Sequence, residues 1–232
     1  MNKMGLLVVG SALLIGSMAV AQTGVVTSVN IVGFNKITCA KGKWILVSSA
    51  FKSLSGAPLK SADVIGTQLP LGSSTYAYSP QLHRYLIDNY AEDDNGDPAW
   101  GTNLVYQGGM GFWINVPADA PQASYDVYLM GEVPVDASSS NIVFNGFTMM
   151  GYPYTANIVW TNTSLAKTAQ LGDSLYTWTP ATGVYQINNY AEDDNGDPAW
   201  GNPNLVLTPG MGFWYQTASS LHTNIEIRPY NP

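Results

Sequence analysis

Along most of this chain apolar positions recur in short runs with a period of two, separated by glycine, proline, asparagine and serine. Tyr125 to Met130 and Asn224 to Arg228 alternate in this way, as strands with one buried face do. Tyr76-Ala77-Tyr78 and Tyr176-Thr177-Trp178 carry the aromatic content of half-buried strands. Ile45 to Val47 and Thr148 to Met150 are short apolar runs. Phe112-Trp113-Ile114-Asn115-Val116 and Phe213-Trp214-Tyr215-Gln216 read as core strands, each entered through paired glycines. Neighbouring side chains on a strand point to opposite faces, so each Phe-Trp pair is expected to send one ring inward and one outward. Only Leu59 to Ile65 and Ser164 to Leu171 are suited to a helical turn, and both are brief.

The pattern comes twice. Asn89-Tyr90-Ala91-Glu92-Asp93-Asp94-Asn95-Gly96-Asp97-Pro98-Ala99-Trp100-Gly101 recurs unchanged from Asn189 to Gly201. Upstream, Leu71-Gly72, Ser74, Tyr76, Pro80 and Tyr85 return at Leu171-Gly172, Ser174, Tyr176, Pro180 and Tyr185. Downstream, Gly109-Met110-Gly111-Phe112-Trp113 returns as Gly210-Met211-Gly212-Phe213-Trp214. Thirteen identical residues in register do not arise by chance, so the chain is a duplication. The expected fold is all-β: two tandem β-sandwich or partly open barrel modules related by that internal duplication, over 22–134 and 135–232. Val133 to Asn141, with Pro134 and three serines, reads as the junction, and Thr23 to Thr38 as an added edge strand.

Gly146-Phe147-Thr148-Met149-Met150-Gly151-Tyr152-Pro153-Tyr154, then Tyr176-x-Trp178, then Pro209-Gly210-Met211-Gly212-Phe213-Trp214, resembles a recurrent exported bacterial tandem-repeat β module. In that module a "G-W-N-L-I-G-N-P" strand leads to "Y-x-W" and then to "P-G-x-G-F-F/W". Ser28-Val29-Asn30-Ile31-Val32-Gly33-Phe34 is similar to the first strand of its tandem versions. The resemblance implies a secreted or surface-associated β module with no activity attached. Copy one departs from it, because Lys43-Trp44-Ile45-Leu46-Val47-Ser48-Ser49 lacks the glycine and the proline.

Residues 1–21 read as a signal peptide: Lys3, an apolar Leu6 to Ile15, and the small-x-small Ala19-Val20-Ala21. That apolar run is too short to cross a bilayer, so no membrane span is expected after cleavage. The implied location is exported: extracellular, cell surface or periplasm. Charge agrees with that address. Without Lys3 the chain has 8 basic and 16 acidic residues, a net of −8, and six of the bases fall between Lys36 and Arg84. No basic stripe follows a phosphate backbone, which excludes nucleic acid as an expected partner. A single cysteine, Cys39, makes no intrachain disulfide, and each copy is long enough to be held by an apolar core alone.

The duplicated acidic loop is the first candidate site. Glu92, Asp93, Asp94, Asn95 and Asp97, and again Glu192, Asp193, Asp194, Asn195 and Asp197, concentrate the hard oxygen donors that Ca²⁺ takes. The spacing fails the EF-hand pattern, because Ala91 stands where its first carboxylate belongs. Asn-Gly also makes the loop a tight hairpin with solvated carboxylates, and the two readings are compatible. Tyr90 and Trp100, with Tyr190 and Trp200, flank the loops and are the candidate ligand-binding residues, either as sugar-stacking platforms or as core. Catalysis finds no constellation: two histidines, His83 and His222, stand in no triad or metal spacing. Two functions follow. One is a non-enzymatic structural or adhesive surface protein that associates with other copies of itself. The other is a carbohydrate-binding protein, Ca²⁺-assisted or not, whose partners are extracellular glycans.

Overall fold

A computed structural model describes residues 31–231; the expected signal peptide, 1–21, lies outside them, as do residues 22–30. The described residues form nine strands and then nine more in the same order. The first set is β1 (Val32–Ala40), β2 (Trp44–Ser48), β3 (Leu59–Lys60), β4 (Ser74–Ser79), β5 (Arg84–Glu92), β6 (Pro98–Trp100), β7 (Val105–Tyr106), β8 (Gly111–Asn115) and β9 (Ser124–Glu132). The second is β10 (Ser138–Val143), β11 (Gly146–Gly151), β12 (Ile158–Val159), β13 (Ser174–Thr179), β14 (Val184–Glu192), β15 (Pro198–Trp200), β16 (Val206–Leu207), β17 (Gly212–Thr217) and β18 (His222–Ile227). The helical turn α1 (Ser61–Val64) follows the third strand of the first set, and a 3₁₀ turn (Trp160–Asn162) and then α2 (Ser164–Lys167) follow that of the second.

Each set builds one antiparallel five-stranded sheet, ordered β2-β8-β4-β5-β6 and β11-β17-β13-β14-β15. Neither sheet closes into a barrel. A long two-stranded ribbon, β1-β9 or β10-β18, and a short one, β3-β7 or β12-β16, complete each module. Of the expected edge strand, Thr23 to Thr38, the part from Val32 on belongs to β1, which runs on to Ala40 and pairs with β9 rather than joining the main sheet, and residues 23–30 lie outside the described residues. Inward positions of sheet, ribbon and helical turn meet in one apolar core per module. The first contains Cys39, Ile45, Phe112, Val127 and Leu129, the second Val143, Met150, Trp160, Leu175 and Phe213.

Period two also decides what the opposite sheet face does. Phe112 and Phe213 point into their own modules, while Trp113 and Trp214 point out, as expected. The outward indoles are nevertheless 6% and 7% exposed. The two outer faces pack on each other, and Leu46, Trp113, Met149 and Trp214 make a third core between the modules. The joint is reciprocal. Ser48 N–H donates to the Gly210 carbonyl and Gly151 N–H to the Gly109 carbonyl, both at 2.9 Å. Val47 bridges Met211, and Met150 bridges Met110. The repeated glycines earn their place here: a Cβ on Gly111 would stand 2.6 Å from the Met150 oxygen, and one on Gly212 2.5 Å from the Val47 oxygen.

The interiors have diverged where the frame has not. Asp88 accepts from Ser61 Oγ–H and from the N–H groups of Thr102 and Leu104. In the second module Asn188 takes that place, accepting from Asn202 N–H at 2.7 Å and donating to its carbonyl at 3.0 Å. Module two instead buries Glu226, which accepts from Ser164 N–H at 3.0 Å and Leu165 N–H at 3.1 Å.

Candidate functional site

The acidic loops are hairpin tips open to solvent. Glu92, Asp93, Asp94, Asn95 and Asp97 are all exposed, as are Glu192, Asp193, Asp194, Asn195 and Asp197. Asp93 N–H donates to the Asp97 carbonyl, and Gly96 N–H donates to the Asp93 carbonyl. Only the glycine is left-handed, at φ 82 in Gly96 and 84 in Gly196, so this is not a turn with both central residues at positive φ. The Asp93 Oδ1 accepts from Asn95 N–H at 2.8 Å and Asp97 N–H at 3.0 Å, and Asp193 repeats both bonds. Those backbone donors hold both aspartates below the usual carboxylate range. One carboxylate of each loop, Asp93 or Asp193, thus satisfies part of the loop's own backbone. Among the described residues no three His, Cys, Asp or Glu side chains gather as a metal site requires.

The flanking aromatics take the second of their two readings, packing with the cores. Trp100 is 8% exposed and Trp200 6%, Tyr90 is buried and Tyr190 half-buried. Trp100 Nε1 donates to the Gly66 carbonyl at 2.9 Å and Trp200 Nε1 to the Ala166 carbonyl at 3.2 Å. Each indole also packs on its cross-strand tyrosine, with ring centroids 5.1 Å apart for Tyr90 and 5.2 Å for Tyr190. These rings close the module cores from the hairpin side. Cys39 is buried likewise; desolvation, with the Asp126 charge adding to it, pushes its thiol up to about 12.

Besides Phe34 and Tyr128 on the β1-β9 ribbon, aromatic rings reach solvent where the modules meet. Trp44, Tyr76, Tyr85, Trp113, Trp178 and Tyr185 line a cleft of about 360 Å³. Four belong to the first sheet and two to the second, all on the faces turned toward the other module. Trp113 forms the buried floor, whereas Trp44, Tyr85 and Tyr185 are exposed at the rim. The rings stand as walls: Trp113 meets Trp44 at 88° and Trp178 at 89°. Trp178 Nε1 donates to the Trp44 carbonyl at 2.8 Å and so ties the second module to the first at the cleft's edge. Burial raises the Tyr85 and Tyr185 hydroxyls above their ordinary pKa, partly offset by hydrogen bonding to Trp113 and Trp214 respectively. Chemically the cleft supplies ring faces and neutral hydroxyls, with no charged side chain in its lining. Its residues are legible as strand positions, and the Tyr-x-Tyr and Tyr-x-Trp spacing puts two rings on one face. What a linear reading does not give is that two such faces stack. No known protein family, no curated protein and no solved structure matches this chain.

Proposed function

We propose that this chain is an exported, non-enzymatic adhesive protein that attaches to neutral glycans through the aromatic cleft between its modules. The observation that carries this reading is the cleft itself, lined by six aromatic rings and partly open to solvent. Pyranose rings present apolar C–H faces that stack on indole and phenol rings, while their hydroxyls exchange hydrogen bonds with phenolic groups. The cleft's lining has no carboxylate or imidazole to move a proton, so holding rather than cleaving is the function it suits. An acidic chain of net charge −7 also favours an uncharged partner over a polyanion.

The test is affinity electrophoresis through gels carrying hydroxyethylcellulose, soluble starch or galactomannan. The natural chain should be retarded by at least one of these polymers. Trp44→Ala with Trp178→Ala should remove the retardation while the melting curve shows a folded protein. Trp100→Ala is the contrast: it lowers the melting temperature and leaves the retardation of the folded fraction in place. Equal migration in all three gels would end the glycan reading.

A further inference from the structure

Resting on that glycan reading, we infer that the cleft is one half of a longer groove, and that its ligand is a linear neutral chain lying across both halves. The basis is a second set of rings that repeats the first with the modules exchanged. Trp44 to Trp113 is 6.2 Å between centroids, and Phe147 to Trp214 is 6.1 Å. Trp113 to Trp178 is 5.1 Å, and Trp214 to Tyr78 is 5.2 Å. Tyr76 to Tyr85 is 6.3 Å, and Tyr176 to Tyr185 is 6.2 Å. Tyr85 to Trp214 and Tyr185 to Trp113 are both 6.3 Å.

The last pairs decide the matter. Tyr85 and Tyr185 each pack on the floor tryptophan of the opposite module and on a tyrosine of their own, so both belong to both halves. The rings thus form one continuous band, from Trp44 through the two shared tyrosines to Phe147. Trp44, Tyr85, Tyr185 and Phe147 are all exposed along it, so the band is open to solvent at both ends and in the middle. A single sugar ring covers only part of such a surface, whereas a chain stacks successive rings along it. The halves differ in strength. Where the first has Trp44 and Trp178, the second has Phe147 and Tyr78, and the indole is the larger stacking face. A short oligosaccharide therefore fills the first half, and length adds the second.

Isothermal titration of the natural chain with cello-, malto- and manno-oligosaccharides, from disaccharide to hexasaccharide, tests this. Affinity should rise about tenfold between the two lengths, the equivalent of one further well-made aromatic contact. Phe147→Ala with Tyr78→Ala should abolish that rise and leave the disaccharide affinity unchanged. Should that pair fail to fold, Phe147→Trp with Tyr78→Trp provides the opposite reading, an added gain of several-fold for the hexasaccharide alone. A hexasaccharide no tighter than the disaccharide, on a protein still retarded by polymer through Trp44, would overturn the groove and spare the cleft. Retention of a proline-rich peptide with no sugar bound at any length would overturn both.

Discussion

At the scale of single residues, the most constrained polar group is Asp88, wholly buried and accepting from Ser61, Thr102 and Leu104. Burial alone would raise its carboxyl, but those donors together hold it below its ordinary pKa. A depressed native pKa means the carboxylate adds stability above the unfolded value, near pH 4, and loses it as pH falls through the lower folded value. Urea melts of the natural chain should therefore weaken between about pH 5 and pH 2. Asp88→Asn puts an amide hydrogen against groups that already donate, leaving a buried donor unpaired. It should cost about 1–3 kcal/mol at neutral pH and flatten the acid dependence. The same asparagine is harmless at position 188, because there the Asn202 carbonyl accepts its amide. His83 shows the converse: it sits at φ 48 where the second copy has Gly183 at φ 69, so the turn rather than any chemistry explains the position.

At the scale of elements, two glycines of the repeat make different demands. Gly96 is left-handed at a hairpin tip, and nothing lies within 4 Å of a Cβ built on it. Gly96→Ala should cost about 1–2 kcal/mol of backbone strain and nothing more. Gly111 has no such φ, but its Cβ would drive into the Met150 backbone. Gly111→Ala should cost at least as much and, unlike Gly96→Ala, should shift the fluorescence of Trp113 and Trp214; urea melts followed by that signal separate the cases. The strands, their duplication and the inward-outward alternation of Phe112 and Trp113 were all legible in the sequence, since each follows from local periodicity and a repeat. The site was not. Tyr90 and Trp100 drew notice beside the carboxylates, yet the alternation that points Asp88 inward also points Tyr90 inward. The cleft escaped because Trp44 and Trp178 are 134 positions apart and meet only when two sheets stack. No property of either strand announces that.

At the scale of the whole molecule, three cores share two sheets, and the middle one has no owner. Leu46 and Met149 are buried only because the other module covers them. The modules should therefore unfold together, with calorimetric, far-ultraviolet and tryptophan-fluorescence transitions coinciding. Trp113→Ala opens a large void in the shared core and should cost about 3–5 kcal/mol. Two separated transitions in the natural chain would show instead that the faces merely touch. The reciprocal pairing of Ser48 with Gly210 and of Gly151 with Gly109 has a further consequence. A surface that meets its own likeness in this way has the geometry of a symmetric homodimer, here written into one polypeptide. Tethering replaces a concentration-dependent encounter with an effective concentration in the millimolar range, so the paired state persists at any dilution. It also frees each half from having to match the other internally, which is how Asp88 and Asn188 come to occupy equivalent places.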